Sequence, residues 1–345
     1  MTDNAVAAPA PVRRPVFKEA DFLAKFDELL AAGEVEQALT LLIDAFPEIC
    51  KRQNVGRMEK LKHFSFAARR IQHAGLGKYG VKKIQVKARI VESVLKKHDV
   101  RNKGTFLDFG CGAHEPLALA AYFYARGFQR SIGNDMSPIK STAYAAISMY
   151  DIVNYLVNFP EDFGIEPSER AGFVERIKRL DNRKFFNGDY DGGFTPVASE
   201  VEFVCDNILN VPVRPNEVSV LVSFAVLEHV TEIDKIMAHL FDITEPGGLH
   251  HHFIDLADHR FYRRDGEFNR FSFLTEEKCA PNLNRLRCSE QMQAFERAGF
   301  EVLKHSTQRE TLPDETRQKF LPKWAEMSVE DQETYSLSVT VRKPG

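Results

Sequence analysis

Three aspartates stand at or near the ends of three successive predicted strands. Asp108 lies near the end of TFLDF, Asp135 ends RSIGND, and Asp206 ends VEFVCD. Parallel strands place their carboxyl ends along one edge of a sheet, so these carboxylates would line one crevice. A single aspartate at a strand end is often only a helix cap. Three in succession favour a ligand site.

A glycine turn after the first strand indicates which ligand the crevice takes. Gly110 and Gly112 flank Cys111, and backbone without side chains can approach a ligand closely there. Asp135 follows Gly112 by 23 residues, close to the spacing at which a carboxylate accepts ribose hydroxyls. The ligand is therefore predicted to contain a ribose.

Two ribose-containing cofactors compete for this turn, a dinucleotide and S-adenosylmethionine. A dinucleotide fold uses a third glycine and places its pyrophosphate at a helix N-terminus. Here His114 takes the third position, and Glu115 would bring negative charge to the pyrophosphate. A cationic sulfonium compound with a free amine suits the acidic crevice better, which favours S-adenosylmethionine.

Predicted strands alternate with predicted helices from residue 105 onward, and the three aspartates lie at strand ends within this part. The alternation predicts an α/β fold with a doubly wound, mostly parallel sheet that has helices on both faces. Residues 101–345 form this domain, with insertions near 158–200 and 258–287. The predicted strands cover 105–109, 130–135, 201–206, 218–224, 248–256, 301–308 and 336–343, and the predicted helices 115–126, 138–157, 232–243 and 289–299.

The N-terminal part has a different character. Residues 1–16 lack the apolar core of a signal peptide and predict a disordered tail. Residues 17–100 have apolar residues at helical spacing, which predicts a helical N-terminal cap. Between Lys51 and Lys103 there are 16 Lys or Arg against three acids, although the whole chain has a net charge of −3. This basic segment is either a solvated face or a surface that attracts an anionic partner.

Cysteine content and hydropathy restrict the class of protein further. The five cysteines are an odd number without a CxxC pair, which argues against a disulfide framework or a structural zinc site. Reduced thiols indicate a cytoplasmic location. No apolar run reaches the roughly 18 residues that a membrane-spanning helix needs, so no membrane span is predicted.

Five stretches in register resemble the class I S-adenosylmethionine-dependent methyltransferases, over roughly residues 105 to 305. They are LDFGCG (107–112), IGNDMSP (132–138), VCDNIL (204–209), VSFAVLEHV (222–230) and ITEPGGLHHHFID (243–255). The resemblance implies a seven-stranded Rossmann-like sheet and S-adenosylmethionine as the cofactor. The chain departs from the family pattern at His114, where many members have glycine.

The resemblance also implies a cofactor-binding set. Asp108 would face the methionine amine, Gly110 and Gly112 would lie against methionine and ribose, and Asp135 would take the ribose hydroxyls. Asp206 would bind the adenine amino group and the Asn207 N–H a ring nitrogen. The remaining members of the expected set are Cys111, Met136 and Phe224.

Candidates for the chemical step should follow the fourth and fifth strands. Glu228 and His229 follow the fourth, and Asp255, Asp258 and His259 follow the fifth. A hydroxyl acceptor needs a base or a metal to remove its proton, and a histidine suits the role of base. His259 is the first choice and His229 the rival. Glu228 and His229 could instead simply open a helix, and positioning of the reactants alone could suffice.

No metal site is assigned from the sequence. The run His250-His251-His252 lies in a predicted strand, where alternate side chains point to opposite faces and three ligands cannot converge. His252 with Asp255 or His259 remains an open alternative.

The second insertion predicts the chemistry of the acceptor. It carries arginines interleaved with aromatics, and loops of this length are more often functional than not. Guanidinium groups suit phosphate or carboxylate, so the acceptor is expected to be anionic. The arginines assigned to substrate are Arg260, Arg263, Arg264 and Arg285.

These features favour O-methylation of a small anionic or glycan acceptor, such as a sugar, a nucleotide-linked sugar or a phosphorylated metabolite. Two alternatives stay open. The basic segment and the arginine–aromatic insertion suit a methyltransferase that acts on RNA or another nucleic acid. An isoelectric point near 6.4 and the absence of an Asn/Asp-Pro-Pro-aromatic element argue against it. The other alternative is a non-catalytic, cofactor-binding regulator.

Overall fold

The computed structural model covers two compact units, Met1–Lys78 and Tyr79–Gly345. The predicted tail, most of the predicted helical cap, His114 and Arg264 lie outside the described residues. The residues that the structure describes are 19–32, 34, 37–38, 40–42, 45, 81–100, 103–113, 115–138, 152–153, 155–180, 200–263, 266–278 and 283–345.

The first unit contains helix α1 (Glu19–Ala31). Its apolar residues Phe22, Phe26 and Leu29 recur at a spacing of three to four, so they share one face of the helix. They form a small buried cluster with Ala38, Leu42 and Ala45 of the same unit.

The second unit is built on one seven-stranded sheet with the order β3-β2-β1-β4-β5-β7-β6. Strand β7 is antiparallel to both of its neighbours, and the other pairs are parallel. The doubly wound, mostly parallel sheet of the prediction is therefore confirmed. The strands are β1 (Thr105–Phe109), β2 (Arg130–Asp135), β3 (Val201–Cys205), β4 (Val218–Phe224), β5 (Thr244–Asp255), β6 (Glu301–Arg309) and β7 (Thr334–Arg342).

Helices pack on both faces of this sheet. Helix α2 (Val81–Lys97) belongs to the second unit, which begins at Tyr79. The three short helices near the C-terminus were not predicted, because four or five residues are too few to show a helical period. The helices are α2 (Val81–Lys97), α3 (Ala118–Ala125), α4 (Arg170–Lys178), α5 (Ile233–Ile243), α6 (Cys288–Ala298), α7 (Asp314–Arg317), α8 (Pro322–Ala325) and α9 (Val329–Glu333).

Alternation of side chains along β1 divides the core into two layers. Phe106 packs into the layer that contains α2, α3 and α4, whereas Leu107 and Phe109 pack into the layer that contains α5 and α6. Every residue of β1 is buried, as expected for a central strand covered on both faces. The first strand is thereby held rigidly where its carboxyl end meets the glycine turn.

The described residues of the two predicted insertions form short helices and 3₁₀ turns joined by irregular segments. The first includes a 3₁₀ turn at Pro160–Phe163 and helix α4, and its residues 181–199 lie outside the described part. The second contains 3₁₀ turns at His259–Arg263 and Ser272–Thr275. Its Phe271, Phe273 and Leu274 pack against Leu312, Phe320 and Trp324 of the C-terminal segment. Among the described helices, none has both the length and the apolar character that crossing a membrane requires.

Candidate active site

A cavity of about 740 Å³ opens at the carboxyl ends of β1 and β4. The strand order reverses between these two strands, and open α/β sheets bind ligands at such a point. Residues from β1, β2, the segment after β3, β4 and helix α2 contribute to its wall. The volume lies within the range of small-molecule and cofactor sites.

The glycine turn forms one wall of the cavity, and a side chain would have a different effect at each of its two glycines. Both have positive φ, +73° at Gly110 and +90° at Gly112. A Cβ at Gly110 would lie 2.2 Å from Val226 Cγ2, so packing within the protein excludes a side chain there. A Cβ at Gly112 would meet no described atom within 4 Å, because Gly112 faces the cavity.

Hydrogen bonds to β2 hold this turn in place. The N–H groups of Gly110 and Cys111 donate to the carbonyl oxygen of Asn134, at 2.8 and 3.0 Å. The Gly112 N–H donates to Asp135 Oδ2 at 2.9 Å. Burial raises the pKa of the Cys111 thiol well above its usual value, so this residue contributes a neutral wall.

Asp108 precedes the turn by one residue in β1, is almost fully buried, and is not among the residues that line the cavity. Its Oδ1 has no hydrogen-bond partner among the described residues. Burial raises the pKa of Asp108 to about 6, and Asp135 adds to this increase while Lys87 opposes it. A buried carboxylate without a partner is costly unless a donor or a cation approaches it. A cationic group that reached Asp108 would offset this cost.

Asp135 lines the cavity with both carboxylate oxygens near the turn. Besides the bond from Gly112, its Oδ1 accepts from the Ser137 N–H at 2.8 Å. Each carboxylate oxygen has further lone-pair capacity, so Asp135 can hold the turn and also accept a ligand hydroxyl. Met136, the next residue, also lines the cavity and is 70% exposed.

Asp206 and Asn207 lie at the end of β3, and only Asn207 belongs to the cavity wall. Asp206 Oδ1 accepts from the Asn207 N–H at 2.6 Å and from Asn210 Nδ2 at 3.0 Å. The Asn207 side chain accepts from the Leu209 N–H and caps a 3₁₀ turn. Asn134, which was not predicted, ties β2 to the end of β3 by donating to the carbonyl oxygens of Val204 and Asp206.

Helix α2 brings positive charge to the opposite wall. Lys83 and Lys87 both line the cavity, and Lys87 Nζ lies 4.7 Å from the ring centroid of Phe224. Phe224 ends β4 and forms part of the same wall. These lysines come from the basic segment of the sequence, but their place at the cavity could not be predicted from it.

Beyond β4 the chain turns sharply and delivers an acid and an imidazole to the edge of the cavity. Ala225 has a φ of +59°, a conformation that non-glycine residues seldom adopt outside constrained sites. Leu227–His229 then forms a 3₁₀ turn that directs Glu228 inward and leaves His229 exposed on the cavity wall. His259 comes from the segment after β5, and its ring centroid lies 5.0 Å from that of His229.

Glu228, His229 and His259, here called the Glu228 cluster, bring their polar atoms within 4.8 Å of one another. His259 Nε2 lies 4.0 Å from Glu228 Oε1 and 3.5 Å from Asp255 Oδ2. Burial raises the pKa of Glu228 to about 8, and the nearby Asp255 adds to the increase. The cluster has donor atoms that could hold a metal ion.

A family model described as "Methyltransferase domain" matches residues 82–305, about two thirds of the chain. The chain belongs to the methyltransferase domain family. The resemblance predicted from the sequence motifs is confirmed, and with it the methyltransferase activity and S-adenosylmethionine as cofactor.

Solved structures of methyltransferases are similar in outline only. An S-adenosylmethionine dependent methyltransferase from Mesorhizobium loti is 12% identical, over 75% of this chain and 99% of that chain, with a TM-score of 0.37. Geranyl diphosphate C-methyltransferase from Streptomyces coelicolor is 12% identical, over 74% and 77%, with a TM-score of 0.38. At these scores the likeness carries no argument about substrate. The comparison with curated proteins gave no match.

The cavity of this methyltransferase fits S-adenosylmethionine. Gly112 leaves its wall open toward the cavity, and Asp108 offers a buried carboxylate oxygen that lacks a partner. The cofactor carries an amine and a sulfonium, which suit such a carboxylate. Of the predicted cofactor-binding set, Asp135, Met136, Asn207 and Phe224 line the cavity, whereas Asp108 and Asp206 do not.

Two of the four arginines that were predicted to bind the substrate instead form ion pairs or hydrogen bonds within the second insertion. Arg260 pairs with Asp258 at 2.6 Å and Glu276 at 3.0 Å. Arg285 donates to the carbonyl oxygens of Phe273, Glu276 and Glu277. Backbone carbonyl groups of an irregular segment lack partners in a helix or sheet, so the Arg285 side chain supplies hydrogen-bond donors for them. Arg263 is exposed, and Arg264 lies outside the described residues.

The histidine run of β5 is structural. His250 Nε2 lies 2.7 Å from Thr244 Oγ1, and His252 Nδ1 lies 2.7 Å from Ser223 Oγ. Burial lowers the pKa of His250 to about 3, which keeps it neutral in the core. His251 faces the other side of the sheet and lies 3.0 Å from Thr340 Oγ1. The three side chains do not converge on one point.

Proposed function

We propose that this methyltransferase transfers the methyl group of S-adenosylmethionine to a hydroxyl oxygen of a small anionic or glycan acceptor. The expected acceptors are a sugar, a nucleotide-linked sugar or a phosphorylated metabolite. The observation that carries the proposal is the Glu228 cluster at the edge of the cofactor cavity. A hydroxyl must lose a proton as it is methylated, and this cluster is placed to promote that loss.

The residues of the chain contribute chiefly by position. When bound, S-adenosylmethionine supplies a methyl group on a sulfonium, which leaves as S-adenosylhomocysteine. Asp108, Gly112 and Asp135 would hold the cofactor against the β1 turn. The acceptor oxygen would then approach from the side of His229, at the attack distance that makes an in-line displacement fast.

The Glu228 cluster would activate the acceptor hydroxyl. His229 lines the cavity. His259 does not line it but lies next to Asp255, and its side chain is about one third exposed. Single-turnover transfer by His259→Ala and His229→Ala, with cofactor and acceptor saturating, measures the contribution of each. Loss of a proton-transfer group typically costs about 10²- to 10⁴-fold in rate. Wild-type rates and pH dependence in both variants would remove the cluster from the reaction.

The main support for an anionic acceptor is the positive charge that Lys83 and Lys87 bring to the cavity wall. Both line the cavity, whereas Arg260 and Arg285 are engaged with protein acceptors. Arg263, on the exposed 3₁₀ turn, remains a proposed substrate contact. A phosphate or carboxylate would be attracted by the lysine charges while the hydroxyl faces the Glu228 cluster.

The test is a screen of metabolite fractions with labelled cofactor, followed by mass spectrometry of the labelled product. The proposal predicts label in a small anionic compound, as a methyl ether. Label in RNA would favour the nucleic-acid alternative instead. Stoichiometric cofactor binding without transfer to any fraction would favour a regulator.

We also propose a cytoplasmic location. Its support is the cysteine chemistry: Cys111, Cys205 and Cys288 are all free thiols in the described part of the chain. Fractionation of the native host would test it.

A further inference from the structure

The carboxyl group of Glu228 is buried at the edge of the active site. Its side chain is only 3% exposed, and neither Oε1 nor Oε2 has a hydrogen-bond partner among the described residues. Burial of a carboxyl group without a partner is costly, and buried polar groups are almost always paired. Protonation alone does not resolve this, because a protonated carboxyl group would still need an acceptor for its hydrogen.

Two imidazoles face the same point. His259 Nε2 is also buried without a hydrogen-bond partner, and it lies 4.0 Å from Glu228 Oε1. A ring nitrogen of His229 lies within 4.8 Å of both. Asp255 Oδ2, at 3.5 Å from His259 Nε2, adds a second negative charge. A cation between these atoms would give a partner to the Glu228 oxygens and to His259 Nε2 together.

We propose that Glu228, His229 and His259 together bind one divalent metal ion, either Zn²⁺ or a first-row transition-metal ion. Two imidazoles and one carboxylate suit Mn²⁺, Fe²⁺, Co²⁺ or Zn²⁺, whereas Mg²⁺ prefers oxygen ligands alone. Ligand atoms bind such ions at about 2.0–2.2 Å, so side-chain rotations of modest size would close the cluster around the ion. Three protein ligands leave coordination positions open.

The open positions give the ion a role in the proposed function. His229 lines the cavity, so an ion bound to it would be within reach of an acceptor oxygen there. Binding to the ion would lower the pKa of the acceptor hydroxyl. Its O–H bond would break with the proton passing to water. The oxygen would then form a bond to the methyl carbon as the C–S bond breaks, releasing S-adenosylhomocysteine. In the metal-assisted reaction, His229 and His259 act as metal ligands and not as general bases.

The catalytic role of the ion rests on the proposed function, but metal binding can be measured without any acceptor. The full chain is stripped with a chelator and titrated calorimetrically with Mn²⁺, Zn²⁺ and Mg²⁺, and Co²⁺ loading is followed by visible absorption. We expect one equivalent of Mn²⁺ or Zn²⁺ to bind, and Mg²⁺ to bind much more weakly.

Variants locate the site. Glu228→Gln keeps the shape of the side chain, and His259→Ala removes a partly exposed ring, so the second variant remains informative if the first does not fold. Each should weaken metal binding by more than about 100-fold, since even residues outside the ligand set typically cost 10- to 100-fold. His305→Ala, which removes an exposed histidine on β6, is the matched control and should bind as wild type does.

Two results would overturn the proposal: no stoichiometric binding of any tested ion to the wild type, or equal binding in wild type, Glu228→Gln and His259→Ala. If methyl transfer to a hydroxyl persists at the full rate in excess chelator, the ion has no part in the reaction and the proposed function still stands. A labelled product that is not a methyl ether would contradict the proposed function but leave the metal site intact.

Discussion

A methyl group added at Gly110 would lie 2.2 Å from Val226 Cγ2, whereas one added at Gly112 would enter the cavity without meeting a described atom within 4 Å. Alanine at both positions must also adopt a positive φ. The two substitutions should therefore separate packing of the turn from contact with the cofactor. Gly247 offers a control, because it has a φ of +80° and open surroundings and lies in β5, outside the cavity wall.

The size of each effect follows from these contacts. The left-handed conformation costs a non-glycine residue about 1–2 kcal/mol, so Gly112→Ala and Gly247→Ala should each lose about that much stability. Gly110→Ala has an additional clash, for which overpacking typically costs about 1–3 kcal/mol. Its expected loss is therefore about 2–5 kcal/mol. Val226→Ala in the same chain should recover the part that is due to the clash.

Urea denaturation measures the stability, and calorimetric titration with S-adenosylmethionine measures the binding. Gly112→Ala should weaken cofactor binding by at least about tenfold, or about 1.4 kcal/mol, because its methyl group occupies space that the ligand needs. Gly247→Ala should bind as wild type does. Wild-type affinity in folded Gly112→Ala, or a greater loss of stability at Gly112 than at Gly110, would refute this account of the turn.

Burial raises the pKa of Asp108 to about 6, so the stability this group contributes is present below about pH 4 and lost as pH rises through about 6. The cofactor amine needs the ionised form, so cofactor affinity should rise from about pH 5 to about pH 7 and become flat over this range in Asp108→Asn. Acceptor affinity should fall with ionic strength and lose most of that dependence in a Lys83→Gln/Lys87→Gln variant; a salt-independent KM in the wild type would contradict it. Arg287 is fully buried and donates to the carbonyl oxygens of Leu256, Asp331 and Thr334, so Arg287→Met should destabilise the fold by at least about 3 kcal/mol in urea denaturation. A loss below about 1 kcal/mol would show that water replaces the guanidinium.

Local patterns were sufficient for the parallel half of the sheet and for the cofactor turn. The positions of Gly112 and Asp135 depend on strand ends and spacing within one βαβ unit, and both can be read along the chain. The place of β7 between β5 and β6 depends on antiparallel pairing between distant segments, which has no local signal. The short helices α7 to α9 were not predicted, because they are too short to show a helical period of apolar residues.

Partners that come from distant parts of the chain explain the remaining differences at the site. The arginine content of the second insertion suggested a binding surface, yet Arg260 and Arg285 satisfy acceptors within that insertion. The sequence indicated a basic helix but could not place Lys87 beside Phe224. Proximity of Glu228 to His259 likewise follows from the chain path after β4 and β5 and not from either motif alone.

Calorimetric titration of S-adenosylmethionine into the wild type and Asp135→Ala shows whether the cofactor binds in the cavity between β1 and β4. One equivalent should bind to the wild type. Asp135→Ala should lose about 2–4 kcal/mol, or about 30- to 1000-fold in affinity, because it removes charge-assisted bonds to ribose and the anchor of the Gly112 N–H. Unchanged affinity in Asp135→Ala with the fold intact would contradict the account.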